Sequence, residues 1–298
     1  MAKTCVIFNP AARGEKALAF QEKLRALSDR FTLRPTDAPG AARRLAREAV
    51  AEGFERVIAA GGDGTVNEAA NGLLDGESAG VDVALGVIPL GTVNVFAKEI
   101  GVPSRVPEAL RIVEAGRSRL IDAPLATFRS DSRQEEARAF LQLAGAGLDA
   151  RAIARVRWDL KKRMGPLAYI VAGFEALRES VAPIEVESAE RSAVGPLVLI
   201  GNGRFYGGRF QVFPGADLGD GWLDVAVFPE AGLGALTRFG LGWLTGNVHR
   251  WTGAIAWRTK RLALRCADPM PMELEGDNVG FLPAEIRITG RRLRVLVP

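Results

Sequence analysis

Val57-Ile58-Ala59-Ala60-Gly61-Gly62-Asp63-Gly64-Thr65-Val66-Asn67-Glu68-Ala69-Ala70-Asn71-Gly72-Leu73-Leu74 joins an apolar run, a glycine-rich turn and a helical stretch without a break. A strand that ends in such a turn and opens into a helix aims several backbone N–H groups, and the positive end of the helix dipole, at one spot. That spot suits a phosphate group. Gly61, Gly62 and Gly64 let the phosphate approach the backbone closely and permit positive φ where the turn needs it. Asp63 stands in the middle of this anion-binding loop, where a carboxylate is costly unless something uses it. It is expected to face Mg²⁺ or a hydroxyl to be activated, and the stretch predicts nucleotide-dependent phosphoryl transfer.

The common phosphate loops do not match. A P-loop needs a Lys-Ser/Thr pair after its last glycine, and the dinucleotide fingerprint needs G-x-G-x-x-G spacing. Neither is present here, and the His-Arg-Asp and Asp-Phe-Gly landmarks of protein kinases are also missing. A glycine-containing strand–helix turn without function is the plain alternative. The extended Gly-Gly-Asp-Gly-Thr-Val-Asn-Glu signature weighs against it.

Around this loop, the first part of the chain alternates short apolar strands with amphipathic helices, the pattern of a parallel α/β sheet. Strands are expected at Thr4–Phe8, Phe31–Pro35, Arg56–Ala60 and Val83–Ile88, with helices near Glu15–Ser28 and Ala41–Glu52. Ligands of such sheets sit beyond the carboxyl ends of the strands. Asn9-Pro10, Thr36, Gly61–Thr65 and Gly91-Thr92 all fall at such ends. After Asp122 the texture changes to strand-like runs and Gly/Pro turns, among them Phe140–Leu143, Pro196–Ile200, Trp222–Phe228 and Leu262–Cys266. This predicts a β-rich second domain interrupted by helices near Ala150–Arg163 and Gly165–Glu179.

The 298 residues suffice for two domains with sizeable cores. A net charge of +4 leans toward acidic partners, but 39 Lys and Arg spread along the chain against 35 acids form no concentrated basic stripe. Nucleic acid is therefore not expected as a partner. Cys5 and Cys266 lie far apart with no metal-ligand spacing, which fits a reduced cytoplasmic protein. Ala231–Val248 is the longest weakly polar stretch, yet glycines and Arg238 interrupt it. The expectation is a protein that is soluble or sits on a membrane without crossing it.

These motifs together resemble the diacylglycerol kinase catalytic-domain family, which includes bacterial lipid kinases, sphingosine kinases and ceramide kinases. The resemblance rests on Asn9-Pro10, Gly61–Asn67, Pro89–Asn94, Asp122, Gly145–Asp149, Asn202–Gly208, Pro214–Gly221 and Glu275-Gly276-Asp277. It implies a nucleotide-binding α/β domain like that of phosphofructokinase and NAD kinase over residues 1–121 and 288–298, and a β-sandwich over 122–287. The final strand would rejoin the first domain, and ATP and lipid would meet in an interdomain cleft. By position, Asn9, Thr36, Gly61, Gly62, Gly64, Thr65, Asn67 and Thr92 would line the ATP site, and Asp63 would orient Mg²⁺·ATP. The late carboxylate pair would supply the general base. The family's Asp-Gly-Glu is reversed here to Glu275-Gly276-Asp277, which gives Asp277 as base and Glu275 as its supporting carboxylate. A structural Mg²⁺ held by Asp217, Asp220 and the carbonyl of Trp222 is also implied, with an ordinary Asp-Gly turn as the alternative.

The resemblance implies a transferase of lipid metabolism and phospholipid synthesis. Its partners are ATP, a lipid alcohol, a membrane surface and a second copy of the chain as a homodimer. The acceptor is expected to be diacylglycerol, a sphingoid base or a related lipid. Val95, however, stands where diacylglycerol kinases commonly carry Asp, which counts against diacylglycerol itself and favours a sphingoid base, a monoacylglycerol or another lipid alcohol. The helix Ala150–Met164 carries Arg151, Arg155, Arg157, Lys161 and Lys162 opposite an apolar face, which suits an anionic membrane or a solvated surface. His249, the single histidine, sits among Trp243, Trp251 and Trp257 and is expected to pack rather than catalyse. NAD kinase, which shares the Gly-Gly-Asp-Gly-Thr loop, and a non-catalytic lipid-binding protein are the alternative readings.

Overall fold

The computed structural model describes residues 2–10, 20, 30–75, 83–147, 182–230, 232–246 and 248–298. The chain divides into two compact units, one of Met1–Ala123 with Gly290–Pro298 and one of Pro124–Thr289. The sequence-predicted helices near Glu15–Ser28, Ala150–Arg163 and Gly165–Glu179 lie largely or wholly outside the described residues, as do Leu148 and Asp149.

In the first unit, β1 (Thr4–Phe8), β2 (Thr32–Pro35), β3 (Arg56–Gly61), β4 (Ala84–Pro89) and β5 (Ser118–Asp122) join the late strand Arg292–Leu296. The six strands run in the order β2-β1-β3-β4-(Arg292–Leu296)-β5. Every neighbouring pair is parallel except Arg292–Leu296 with β5. β1 and β4 are buried along their whole length, and so is β3 beyond Arg56. Continuous apolar runs, not alternating ones, are what a sheet covered on both faces demands. Among the described residues, three longer helices, α1 (Ala41–Ala51), α2 (Asp63–Leu74) and α4 (Val106–Ala115), and a short α3 (Val95–Glu99) accompany the sheet.

α1 and α2 pack closely because Gly72 faces the backbone of α1. A Cβ at this position would lie 2.2 Å from the Arg43 carbonyl oxygen. Alanine in mid-helix normally gains about 1 kcal/mol over glycine. Here the clash with a backbone atom wins, and Gly72→Ala is expected to cost about 1–3 kcal/mol, measured by urea denaturation. A stabilised variant would mean that the helices part without loss.

The second unit contains β6 (Leu125–Arg129), β7 (Glu135–Ala139), β8 (Leu143–Gly147), β9 (Ile184–Ser188), β10 (Ser192–Gly195) and β11 (Leu197–Gly201). A small hairpin, β12 (Phe205–Tyr206) and β13 (Phe210–Gln211), follows, then β14 (Leu223–Phe228) and the helices α5 (Leu233–Leu244) and α6 (Val248–Thr252). β15 (Ile255–Thr259), β16 (Arg261–Arg265), β17 (Pro271–Leu274) and β18 (Asp277–Arg287) complete it. Eleven of these strands form one antiparallel sheet ordered β10-β9-β16-β18-β17-β8-β11-β14-β15, with β6 on β18 and β7 on β6. Val186, Leu264 and Ile286 from one stretch of this path share a single core with Ala146, Ile200 and Val225 from another. The sheet therefore folds over on itself into a sandwich. β11 alternates: Val198 and Ile200 enter that core, while Leu199 joins a smaller cluster with Phe213, Phe228 and Val248 on the other face.

The structure changes two sequence-based expectations. The turn after β3 is shorter than expected, because α2 already begins at Asp63 behind the N-cap Gly62. Phe140–Gln142 is not part of a strand, and β8 begins only at Leu143.

Candidate active site

The order β2-β1-β3-β4 places four parallel strand ends at one edge of the first unit. Phe8 pairs with Pro35 and Ala60, and Gly61 with Pro89. Asn9, Thr36, the Gly61–Thr65 segment and Thr92 therefore emerge side by side, as the sequence predicts. The chain leaves β1 toward β2 on one side and returns as β3 on the other. The β1/β3 boundary is thus the switch point at which open α/β sheets take their ligands. Asn9 and Thr92 are exposed, and Thr36, Gly62, Asp63, Gly64 and Thr65 are half-buried. Asn67 differs: it is buried, and both its carbonyl and its Oδ1 accept from Asn71 Nδ2, at 2.9 and 3.2 Å.

Two loops interlock here. The N–H groups of Leu90 and Gly91 donate to the Gly61 carbonyl at 2.9 and 3.3 Å. A Cβ on Gly91 would stand 2.6 Å from Gly62 Cα, and one on Gly61 would stand 2.5 Å from Thr65 Oγ1. Gly61, Gly62 and Gly64 all avoid positive φ, so at Gly61 and Gly91 glycine is required for close approach and not for handedness. The left-handed residue of this region is Asn94, with φ 53°. Its Oδ1 accepts the Gly91 N–H at 3.0 Å and its Nδ2 donates to the Gly91 carbonyl at 2.6 Å, which closes the second loop on itself.

Asp63 lies between two helix starts. It is the first residue of α2, and its Oδ1 accepts the N–H of Phe96, in the first turn of α3, at 3.1 Å. Burial pushes its carboxyl above the ordinary aspartate range. The N–H groups of Phe96 and Val95, the Lys98 charge and the Asn94 N–H oppose that shift. Asp63 therefore serves the packing of two loops, a role with no local signature in the sequence. A carboxylate whose ionised form is disfavoured by burial gains most from a cation beside it, so the residues present fit Mg²⁺ carried by a nucleotide. Lys98 is a group the sequence reading missed. Its position one turn after Asn94 in a short helix that opens beside the glycine loop is the signal that marks it.

In the second unit, Glu275-Gly276 is the two-residue turn between β17 and β18, with φ 57° and 81° and Leu274 paired with Asp277. Both positive φ values mark a hairpin turn whose twist matches the strands. Glu275 Oε1 accepts the N–H groups of Leu141 and Gln142 at 2.5 and 2.8 Å. Asp277 is exposed at the start of β18. The two carboxylates thus differ in kind: Glu275 pins the chain before β8, and Asp277 faces outward. Glu273, wholly buried, accepts the Gly276 N–H at 2.7 Å and steadies the same turn.

The carboxylates of Pro214–Trp222 serve their own turn. Asp217 Oδ1 accepts the Gly219 N–H at 2.8 Å, and Asp220 Oδ1 accepts the Trp222 N–H at 3.0 Å. Asp220 Oδ2 is paired with Arg258. A guanidinium on Asp220 occupies the place a cation would take. Among the described residues, no group of three or more His, Cys, Asp or Glu is disposed to hold a metal. Asp217, Asp220 and Trp222 as placed fit the Asp-Gly turn. Trp222 itself lies under Arg258 and Lys260, 5.6 and 4.9 Å from its ring centroid.

His249 donates from Nε2 to the Val212 carbonyl at 2.7 Å and stacks near Phe213, which makes it a packing residue. Trp257 Nε1 donates to Ser188 Oγ, and Trp251 is exposed. The side chain of Trp243 and the basic helix Ala150–Met164 lie outside the described residues.

Comparison with known proteins gives concordant results for both units. Residues 3–125 match the family described as diacylglycerol kinase catalytic domain, and residues 142–297 match the YegS C-terminal NAD kinase beta sandwich-like domain. The diacylglycerol kinase of Bacillus subtilis (strain 168) is 30% identical over 312 residues, covering 100% of this chain and 97% of that protein. A Pseudomonas aeruginosa (strain UCBPP-PA14) protein named "Probable lipid kinase YegS-like" is 30% identical over 305 residues, covering 98% and 93%. The crystal structure of a diacylglycerol kinase from Bacillus anthracis str. Sterne superposes with a TM-score of 0.76 at 23% identity, covering 99% of this chain and 97% of that one, which shows a shared fold.

Proposed function

This chain belongs to the diacylglycerol kinase catalytic-domain family of lipid kinases, and we propose that it transfers the γ-phosphate of ATP to the hydroxyl of a lipid alcohol. The observation that carries this reading is Asp63, a partly buried carboxylate at the start of α2, bound by α3 and set at the switch point of the sheet. Asn9, Thr36, Gly61, Gly62, Gly64, Thr65 and Thr92 form the nucleotide side, where backbone N–H groups and close glycine contacts admit phosphate oxygens. Asn67 braces the helix behind them. Asp63 and Lys98 are the charged groups beside the phosphates. Asp63 is the residue that would hold a nucleotide-borne Mg²⁺, which would supply charge neutralisation to the phosphates when bound.

Asp277 takes the proton of the lipid hydroxyl as the new O–P bond forms and the bond to the ADP oxygen breaks. Glu275 is a positioning group, not a second base. The side chain of Val95, half-buried in the first turn of α3 beside Asp63, carries no hydrogen-bonding group, which suits an acceptor with few polar groups near its reacting hydroxyl. No described helix is long and apolar enough to cross a membrane. In this reading the enzyme works on the cytoplasmic membrane surface.

Transfer of label from γ-³²P-ATP to a panel of lipid alcohols, with NAD and a no-lipid control, tests the reading. Labelled lipid in the presence of Mg²⁺, and none with chelator, is the expected result. Label on NAD would favour an NAD kinase, which the family description of the second unit keeps in view. ATP binding without transfer to any acceptor would favour a non-catalytic protein.

A further inference from the structure

Resting on the kinase reading above, we propose that Glu68 is a positioning residue for the nucleotide, one that fixes the Thr36–Gly40 segment relative to the glycine loop. Glu68 lies in α2, five residues after Asp63. Its Oε1 accepts the Gly40 N–H at 2.9 Å and its Oε2 accepts the Ala42 N–H at 3.1 Å. α1 begins behind Gly40, which has no side chain and stands at φ 83°. The first N–H groups of a helix need acceptors, and here the cap comes from the neighbouring helix instead of from the local sequence.

The other end of the same segment is also anchored. The Thr36 N–H donates to the Phe8 carbonyl at 2.9 Å. Thr36–Gly40 is thus a strap at the carboxyl edge of the sheet, held by β1 at one end and by Glu68 at the other. It stands on the opposite side of the β1/β3 switch point from the glycine loop, and Glu68 grows from the helix that this loop opens. One carboxylate therefore sets the spacing of the two walls between which a nucleotide would lie. Other contacts between α1 and α2 fall further along α2, though still on the first turn of α1. Gly72 passes under the Arg43 carbonyl, and Asp75 takes Arg43 in a two-pronged ion pair at 2.6 and 3.0 Å. Glu68, Gly72 and Asp75 lie on one face of α2 by their spacing, but Glu68 is the one that holds the strap.

Removing Glu68 leaves Asp63 and the glycine loop in place while the strap loses its anchor. Nucleotide affinity then falls and the chemical step at saturation does not. The test compares Glu68→Ala and Glu68→Gln with Asp75→Asn, a control that weakens the same helix pair through Arg43 and leaves the Gly40 and Ala42 N–H groups on Glu68. KM and kcat for ATP are measured together with calorimetric ATP affinity and the melting temperature. Glu68→Ala is expected to raise KM and Kd for ATP roughly tenfold, with kcat within about twofold of wild type. Glu68→Gln, which keeps one acceptor oxygen, should fall between the two. Asp75→Asn should lower the melting temperature and leave KM unchanged. If Glu68→Ala does not fold, Glu68→Gln decides. Equal KM in the Glu68 and Asp75 variants, or a fall in kcat in place of a rise in KM, overturns the proposal. A wild type that transfers no phosphate sinks the kinase reading instead, and the calorimetric affinities still decide the role of Glu68.

Discussion

Asp63→Asn is expected to lower kcat by about 10²–10⁴-fold and to raise the melting temperature at neutral pH. The two effects share one cause. Burial raises the Asp63 carboxyl above its ordinary value of 3.8, so the folded protein binds this proton more tightly than the unfolded chain does. Between 3.8 and the raised folded value, the native state holds more proton at Asp63, and its stability falls as pH climbs through that window. Above the window the ionised Asp63 is a standing cost. The asparagine amide oxygen can still accept the Phe96 N–H, so the variant removes the charge and keeps the joint between α2 and α3. Its stability advantage should be full at pH 8 and shrink as pH drops through the folded value. Mg²⁺·ATP should stabilise the wild type more than the variant, because the charge that burdens the free protein is the one the cation uses. An Asp63→Asn enzyme with wild-type turnover would remove Asp63 from the chemistry.

Glu275 and Asp277 are expected to fail in different ways. Glu275→Ala strips the acceptor from the Leu141 and Gln142 N–H groups and leaves a non-glycine residue at φ 57°. Unmade hydrogen bonds of this kind cost on the order of 2–4 kcal/mol together, and denaturant titration should show that loss. Asp277→Ala removes an exposed side chain at the start of a strand, so stability should stay within about 0.5 kcal/mol. Its kcat should drop about 10²–10⁴-fold, the range for a lost general base. A stable, inactive Glu275→Ala enzyme would return Glu275 to the chemistry and undo this division.

Much of the first unit was legible because its information is local. The apolar runs of β1, β3 and β4 announce a covered parallel sheet, and the glycine-containing turns after β3 and β4 announce the ligand edge. What the sequence concealed are bonds between distant segments. Asp63 answers to an N–H 33 residues away, so its place in the packing has no local signature. Phe140 and Leu141 look like the start of a strand because both are buried. Leu141 pairs with side chains instead: Glu275 takes its N–H group together with that of Gln142, and Asn202 Nδ2 donates to its carbonyl. Burial was predictable there; the partner was not. The same holds for Asp217 and Asp220, whose spacing suggests a cation but whose carboxylates meet backbone N–H groups and Arg258.

The strand Arg292–Leu296 lies between β4 and β5 in the first unit's sheet, although the whole second unit precedes it in the chain. During synthesis on a ribosome, the β4 edge must therefore stay unpaired until the second unit has been translated. An exposed parallel edge of Ala84–Pro89, buried in the finished sheet, is a template for wrong partners. Nascent chains that stall before Arg292 would present the glycine loop on an incomplete sheet, open to chaperones and proteases. The sheet of the first unit is thus completed only after the second unit has been made.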